Sequence, residues 1–299
     1  MKFNRVLLVL NSEKPGDEKE KLVQQVMPIL SPNIKELTII QTESVDELKE
    51  ACHQSVELII VYGGDGTVHV VVNELMKIEN RPKLAILPGG TCNDISRALS
   101  IPQNLKKAAE SIVEPNIKTV DVASINDYFF LNFSGIGLIT EASENIDDQL
   151  KETFGRISYF ISAIQQLQQS ESFHFKLTTD GEVVEEEAVM ILVMNGYFIG
   201  THQFPLPTIS IQDGLLDVMI IKESNLQTIR DWFSLSYTHQ ENEEEHQIKH
   251  IKAKEVIIEP ETIKDVDTDG EVYIKTPIKV KVLPEEIDMI VGENFIGEE

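Results

Sequence analysis

The feature that most constrains this chain is the unbroken apolar run Leu58-Ile59-Ile60-Val61-Tyr62. Apolar and polar residues do not alternate in it, so a strand formed by these residues must be covered on both faces. Such strands are typical of parallel α/β sheets with helices on both sides. A glycine-rich segment, residues 63–67, follows directly, and helical spacing then extends over Val68–Ile78. The pattern predicts a buried strand, a tight loop and a helix, in that order.

The same alternation of strand and helix surrounds this unit throughout the first part of the chain. Further strands are predicted at Arg5–Leu10, Ile34–Gln41 and Lys83–Leu87. Helices are predicted at Asp17–Leu30, interrupted near Pro28, and at Val45–His53, with Ser44 as N-cap. We therefore predict an α/β domain over residues 1–122.

After Asp121 the pattern becomes rich in strands. Strands are predicted at Tyr128–Phe133, Phe173–Thr179, Val183–Met194, Leu215–Ile221, Glu255–Glu259 and Ile278–Leu283. Asp-Gly pairs, which favour tight turns, occur at residues 180–181, 213–214 and 269–270. Helical inserts are predicted near residues 150–168 and 226–237. Residues 123–283 should thus form a β-sandwich-like domain.

The charge of the chain excludes some partners. The formal net charge is −24. Residues 1–121 hold 14 basic and 17 acidic residues, a net charge of −3, so the remainder carries −21. Such a surface repels nucleic acid and gives no general attraction to anionic membranes. A polyphosphate would be repelled less by the first part of the chain than by the second.

Other features favour an intracellular protein without a membrane span. No apolar stretch approaches the ~20 residues that a transmembrane helix needs. Cys52 and Cys92 form neither a disulfide framework nor a zinc-binding spacing, which is consistent with a reducing cytoplasm. The biased segment His239–His250 could place His246 and His250 on one helical face as metal ligands, although a solvated loop is the favoured interpretation.

The glycine-rich segment Gly63-Gly64-Asp65-Gly66-Thr67 is a candidate phosphate-binding loop. Its glycines permit close approach of the backbone to a ligand, and the following helix presents free N–H groups and a positive dipole end. Asp65 would repel bare phosphate, but it suits a site in which Mg²⁺ lies between them. A glycine-rich turn without a ligand is the alternative.

A second loop repeats this arrangement. The strand Lys83–Leu87 leads into Pro88-Gly89-Gly90-Thr91-Cys92-Asn93-Asp94, and a short helix carrying Arg97 follows. Open α/β sheets bind ligands at the carboxyl ends of their strands, where backbone amides, Thr91 and Asn93 can reach a polar ligand. The alternative is a capped turn with Asp94 as N-cap. Two such loops on successive strands favour a ligand site.

Taken in order, the motifs make the sequence similar to the diacylglycerol kinase catalytic superfamily, in particular its stand-alone bacterial lipid kinases. The resemblance covers nearly the whole chain. Beyond the two loops it includes Val120-Asp121, residues 130–137, Phe154-Gly155-Arg156-Ile157-Ser158-Tyr159, Asn195-Gly196, Asp213-Gly214-Leu215-Leu216-Asp217 and Asp269-Gly270-Glu271. The loop GGDGT alone is shared with NAD kinases. The resemblance implies an NAD kinase/diacylglycerol kinase-like α/β domain, with residues 284–299 returning to it after the β-rich, lipid-binding domain.

The resemblance also implies roles for individual residues. ATP would be held by Asn11, Thr42, Gly63, Gly64, Asp65, Gly66, Thr67, Gly90, Thr91 and Asn93. Asp65, Asp94 and Asp121 would organise the catalytic Mg²⁺, directly or through water, with Arg97 beside them. Glu271 matches the proposed general base. A structural Mg²⁺ would be bound by Asp213 and the carbonyl groups of Ser210 and Leu215. Considered without the resemblance, Glu271 is a strand residue after a turn, and Asp121 a helix cap or surface carboxylate.

Some positions depart from the family pattern. The usual Asn-Pro-x-x-Gly opening is replaced by residues 11–16, Asn-Ser-Glu-Lys-Pro-Gly. Val70 stands where many members have Glu, Asn73-Glu74 replaces Asn-Gly, and Gly200-Thr201 replaces a glycine pair. None of these changes removes the proposed acidic residues.

The leading hypothesis is a cytoplasmic, ATP- and Mg²⁺-dependent lipid kinase that phosphorylates diacylglycerol or a related lipid alcohol. It would contact the membrane surface transiently, and the sequence leaves dimerisation open. One alternative is an NAD kinase-like enzyme. Another is a catalytically weak lipid- or nucleotide-binding regulator, a hypothesis motivated by the departures from the family pattern.

Overall fold

A computed structural model of the chain describes residues 3–11, 16–140, 171–204, 206, 208–222 and 248–297. The chain divides into two compact units, residues 1–121 with 285–299, and residues 122–284. The boundaries expected from the sequence were 122/123 and 283/284, one residue away from each division.

The first unit is built on parallel strands. They are β1 (Arg5–Asn11), β2 (Glu36–Thr42), β3 (Leu58–Gly63) and β4 (Lys83–Pro88). Their order in the sheet is β2-β1-β3-β4, and all neighbours are parallel. Every residue of β3 is buried, as its unbroken apolar run predicts. Chain residues that follow Pro284 return to this unit, where Met289 lies beside Leu84 of β4.

The helices of the first unit connect these strands or follow β4. They are α1 (Gly16–Lys21), a π-helical turn (Leu22–Val26), α2 (Met27–Leu30), α3 (Val45–Ala51), α4 (Asp65–Leu75), α5 (Asp94–Ala98) and α6 (Leu105–Val113). Ser44 caps α3 as predicted, since its Oγ accepts a hydrogen bond from the amide of Glu47 at 3.2 Å. The first predicted helix is interrupted by this π-helical turn, which ends two residues before Pro28.

The strands of the second unit lie on two larger sheets and one two-stranded sheet. The described ones are β5 (Asn116–Ile125), β6 (Tyr128–Phe130), β7 (Phe133–Gly137), β8 (Phe173–Thr179), β9 (Glu182–Ala188), β10 (Met190–Met194), β11 (Phe198–Ile199), β12 (His202–Gln203), β13 (Leu216–Ile221), β14 (Lys249–Ala253), β15 (Glu255–Pro260), β16 (Asp265–Thr268), β17 (Glu271–Lys275) and β18 (Ile278–Val291). β5 and β18 each run across the division between the units.

One sheet of this unit is antiparallel, in the order β14-β13-β10-β7-β16-β17. On the other sheet, β8 pairs with β9 and β15, and β15 pairs with the first residues of β18. Apolar side chains from both sheets form one core that includes Phe130, Phe175, Val193 and Val218. The prediction of an α/β domain followed by a β-sandwich-like domain is confirmed.

Two predicted strands are each divided in the structure. Tyr128–Phe133 contains the end of one hairpin and the start of β7. Val183–Met194 is split at Val189, so that β9 and β10 belong to different sheets. The apolar run Ala188–Met194 continues through the second of these breaks, so composition alone could not locate it. At the first break, Asn132 is the one polar residue. The biased segment His239–His250 was predicted to be a solvated loop. Its last residues, Lys249 and His250, instead begin β14.

Candidate active site

The carboxyl ends of the parallel strands define one edge of the first sheet. The chain passes from β1 to its neighbour β2, then crosses to β3 on the other side of β1. At such a reversal the connections leave in opposite directions, which opens a crevice where α/β sheets bind ligands. Asn11 lies at the end of β1 and Gly63 at the end of β3. The topology therefore places the GGDGT segment at the crevice.

The last three residues of GGDGT form the beginning of α4 rather than a loop before it. The helix starts at Asp65, three residues earlier than the sequence pattern predicts, and Gly64 is its N-cap. The amides of Asp65, Gly66 and Thr67 lie in the first turn, where backbone donors have no acceptor within the helix. Together with the helix dipole, they can bind an anion such as a phosphate group.

The two glycine loops touch through their backbones. A Cβ atom added to Gly64 would lie 2.9 Å from Cα of Gly90, and one added to Gly90 would lie 2.5 Å from Cα of Gly64. The amide of Gly89 donates to the carbonyl of Gly63 at 2.9 Å. Glycine is thus required here by close approach. The contact joins the ends of β3 and β4 into one backbone-lined surface that fits a phosphate chain.

The second loop is held by its own side chains. Asn93 Oδ1 accepts the amide of Gly90 at 2.8 Å, and Asn93 Nδ2 donates to the Gly90 carbonyl at 2.9 Å. Arg97 Nε donates to the carbonyl of Cys92 at 2.9 Å. Thr91 is exposed between these anchored residues, and its hydroxyl is accessible to a ligand. Asn93, at φ 55°, occupies the N-cap position for which Asp94 was the alternative prediction.

The three predicted acidic residues have different surroundings. Asp65 Oδ1 accepts the amide of Ile95 at 3.0 Å, which links the two glycine loops a second time. Asp94 is buried in the first turn of α5. Asp121 is buried on β5, and its Oδ1 accepts the amide of Glu285 at 2.8 Å. Its alternative interpretation as a helix cap or surface carboxylate is therefore wrong.

These carboxylates do not form a ready-made metal cage. Within the described ranges, no three His, Cys, Asp or Glu side chains converge as potential metal ligands. Magnesium usually retains several waters and takes one or two carboxylates plus substrate phosphates. The carboxylate of Asp65, in the first turn of α4, fits that mode of binding.

Thr42 ends β2 opposite Asn11 of β1. Its side chain is buried, and its hydroxyl donates to the carbonyl of Leu10 at 3.4 Å. This bond ties the ends of the two strands together at the same sheet edge. The segment that follows Asn11 in the expected phosphate-contacting motif, residues 12–15, lies outside the described residues.

In the second unit, Glu271 begins β17 and is half-buried. The turn before it is held by Asp269, which sequence reasoning noted only as part of a motif. The carboxylate of Asp269 accepts three amides at 3.0 Å, those of Leu131, Asn132 and Phe133. The amide of Gly270 donates to Asp267 Oδ1 at 2.8 Å.

Positive φ angles at Asp269 (52°) and Gly270 (92°) complete this turn. An Asp-Gly pair signals a turn, but its anchoring to residues 131–133, far away in the sequence, is visible only in the structure. The position of Glu271 is thus set by hydrogen bonds from the backbone amides of residues 131–133 to the Asp269 carboxylate.

The residues predicted to bind a structural Mg²⁺ do lie in one turn, between residues 210 and 215. The expected carboxylate ligand is already engaged, because Asp213 Oδ2 forms an ion pair with Lys252 Nζ at 2.8 Å. Its Oδ1 accepts the amide of Leu215 at 3.0 Å. The donor set therefore does not fit a divalent cation in this arrangement.

Two of the departures from the family pattern have local structural consequences. Glu74, which replaces a glycine, is paired with His53 Nε2 at 2.7 Å and Lys77 Nζ at 2.8 Å. Burial opposes ionisation of Glu74, but these two partners lower its pKa on balance. Thr201 adopts φ 73°, the left-handed region in which the family's glycine would be unstrained.

Several predicted features fall in parts of the chain that the structure does not describe. The Phe154–Tyr159 motif, the helical inserts near residues 150–168 and 226–237, and His246 lie outside the described residues. Among the helices of the described ranges, none combines the length and apolar character needed to cross a membrane.

Comparison with known proteins agrees with the motifs. The profile of the diacylglycerol kinase catalytic domain matches residues 5–125. The profile of the YegS C-terminal NAD kinase beta sandwich-like domain matches residues 135–291. The chain belongs to the diacylglycerol kinase catalytic family. The resemblance drawn from the ordered motifs is therefore confirmed.

Relatives of this family extend over nearly the full chain. A Staphylococcus aureus (strain JH9) protein, provisionally named a lipid kinase, is 34% identical over 90% of both chains. A crystal structure titled as a diacylglycerol kinase from Bacillus anthracis strain Sterne is 39% identical, has a TM-score of 0.88 and covers 99% of both chains. An NAD kinase from Archaeoglobus fulgidus, solved with ATP, is 13% identical with a TM-score of 0.54, which shows a shared fold alone.

Proposed function

We propose that this protein transfers the γ-phosphate of ATP to the hydroxyl group of diacylglycerol or a related lipid alcohol. The observation that carries the proposal is the backbone contact between Gly64 and Gly90, where an added Cβ would lie 2.5–2.9 Å from the opposite Cα. The contact joins two amide-rich loops into one surface at the sheet edge. A phosphate chain is the ligand that such a surface suits best.

Within this proposal, the first turn of α4 binds phosphate oxygens through its free amides. Thr91 and Asn93 add polar contacts from the second loop, and Thr42 supports the neighbouring strand end. Asp65 is the residue best placed to hold Mg²⁺, with Asp94, Asp121 and Arg97 as the surrounding charged residues. When bound, Mg²⁺ would neutralise charge on the phosphate groups.

Glu271 is proposed as the general base. Its carboxylate would accept the proton of the lipid hydroxyl as the oxygen attacks phosphorus, which is the role a positioned carboxylate can perform. The turn that carries it is fixed by Asp269 and Asp267. A rigid support of this kind keeps a catalytic side chain in one orientation.

The proposal includes a cytoplasmic location with transient access to a membrane surface. The second part of the chain carries a net charge of −21, so attraction to anionic lipids cannot supply the contact. The same charge argues against a nucleic-acid partner.

Phosphate transfer from labelled ATP, with identification of the product, tests the proposal. Diacylglycerol, other lipid alcohols, sphingoid bases and NAD form the acceptor panel. We expect label in a lipid and none in NAD. Label in NAD alone would establish the NAD kinase-like alternative, and transfer to no acceptor would favour a regulatory protein.

Asp65→Ala separates catalysis from folding in the same assay. The residue lies at a helix start with its side chain half-buried, and its removal costs one hydrogen bond between the loops, so the variant should still fold while losing transfer. Asp127→Ala, which removes an exposed carboxylate from a turn, is the matched control and should retain full transfer. Normal turnover of a folded Asp65→Ala protein would remove Asp65 from the mechanism.

A further inference from the structure

The turn between Ser210 and Leu215 has the shape of a cation site. Gly214 adopts φ 67°, and Asp213 Oδ1 closes the turn by accepting the amide of Leu215. The second carboxylate oxygen of Asp213 is thereby directed away from the turn's own backbone. It lies 2.8 Å from Lys252 Nζ.

Lys252 reaches this position from a neighbouring strand. It lies on β14, paired with Asp217 of β13. Its Nζ donates to the carbonyl of Thr208 at 2.7 Å as well as to Asp213, and lies 3.9 Å from Asp217 Oδ1. One ammonium group thus contacts oxygens from the chain segment before the turn, the turn itself and the strand after it.

The charge balance explains why a cation is needed here. Asp217 is fully buried, and the side chain of Asp213 is only 9% exposed. Buried carboxylates are costly without a compensating positive charge. His250 Nε2 hydrogen-bonds Asp217 Oδ1 at 2.6 Å, while Asp217 Oδ2 has no hydrogen-bond partner among the described residues. Lys252 supplies a full positive charge to both carboxylates.

We propose that the Lys252 ammonium is the built-in cation of this turn, and that the chain binds no structural Mg²⁺ there. Magnesium requires close, near-octahedral oxygen coordination, and the oxygen of Asp213 that it would need is held by the ammonium. A dication beside the same ammonium would also be repelled. This inference is independent of the proposed phosphate transfer, because it concerns the folding of the second unit alone.

Metal content provides the first test. The wild-type chain and the Asp213→Asn variant are stripped with EDTA, equilibrated with Mg²⁺ and compared by elemental analysis. We expect equal Mg²⁺ uptake, since any catalytic ion is bound by residues common to both. A wild-type chain that binds one more Mg²⁺ than Asp213→Asn would overturn the proposal.

Thermal unfolding provides the second test, in which the measured quantity is the rise in Tm when Mg²⁺ replaces EDTA. Lys252→Met should lower Tm by roughly 2–8 °C in EDTA, since it leaves the buried carboxylates of Asp213 and Asp217 without this positive charge. It should gain more from Mg²⁺ than the wild type does, because the vacated oxygens can now bind the ion. Lys254→Met, at an exposed neighbouring position, is the matched control and should respond as the wild type.

The double variant Lys252→Met/Asp213→Asn should lose the extra response to Mg²⁺. A Lys252→Met response no greater than that of the wild type would overturn the proposal. If Lys252→Met does not fold, the comparison of Mg²⁺ uptake between wild type and Asp213→Asn still decides the question.

Discussion

Replacing Asp269 by Asn tests how the turn that carries Glu271 is held. Asp269 is 4% exposed, and its carboxylate accepts three backbone amides at 3.0 Å. Oδ1 accepts two of them and Oδ2 the third. Asparagine tolerates the left-handed backbone of this position, so the variant changes the hydrogen bonds and the charge without adding backbone strain.

The cost can be worked from these contacts. An asparagine oxygen at the Oδ1 position keeps two bonds, but its NH₂ group then faces the amide of Leu131, and two donors cannot bond each other. One hydrogen bond to a charged acceptor is worth about 1.5–3 kcal/mol, and the stranded amide adds a desolvation cost. The two remaining bonds also lose their charge assistance. We expect the free energy of unfolding to fall by roughly 2–4 kcal/mol.

Urea titrations of Asp269→Asn and Asp180→Asn measure this effect. Asp180 is exposed and accepts a single amide, that of Lys254, at 3.0 Å, so its variant should lose less than about 1 kcal/mol. In the transfer assay, Asp269→Asn should lower kcat more than it raises KM for ATP, since Glu271 loses its support. Equal stability losses in the two variants would refute the reasoning that the three-amide network holds the turn.

Three further substitutions and one pH series follow from the structure. Glu271→Gln should fold normally and bind ATP while lowering kcat by roughly 10²–10⁴-fold; unchanged single-turnover transfer would reject its role as base. Gly64→Ala places a methyl group 2.9 Å from Cα of Gly90, so the two loops must separate. ATP affinity measured by calorimetry should fall, while the stability of the second unit should not change. Full ATP affinity would contradict the requirement for close approach. Thr201→Gly should raise the free energy of unfolding by about 1 kcal/mol through relief of left-handed strain, and a loss of stability in urea would contradict this. Two lysine partners lower the pKa of Glu186, so the ionised carboxylate stabilises the fold above its unfolded pKa of about 4.3 and loses this contribution as the pH falls through the lowered value. Glu186→Gln should therefore lower the free energy of unfolding by up to about 1 kcal/mol at pH ~7 and leave it unchanged at pH ~2. A loss of stability that does not depend on pH would exclude the ion pairs as its cause.

The sequence by itself determined the elements whose signals are local. The apolar run Leu58–Tyr62 predicted a fully buried parallel strand, because a strand covered on both faces cannot alternate with polar residues. The Asp180-Gly181 pair predicted the hairpin between β8 and β9, where Gly181 adopts φ 107°. The order of the motifs along the chain predicted the family and the two-part architecture. Each of these signals lies within a few consecutive residues or in their order.

Tertiary structure decided which distant residues act together. Asp269 is separated by 136–138 positions from the amides that it binds, and Asp121 by 164 positions from the amide of Glu285. No periodicity encodes such pairings, because they depend on which strands become neighbours in the folded sheets. The same reason accounts for the ion pair at the turn that was predicted to bind Mg²⁺. A pattern of residues 210–215 predicts oxygen donors, but only the pairing of β13 with β14 brings the Lys252 ammonium onto Asp213.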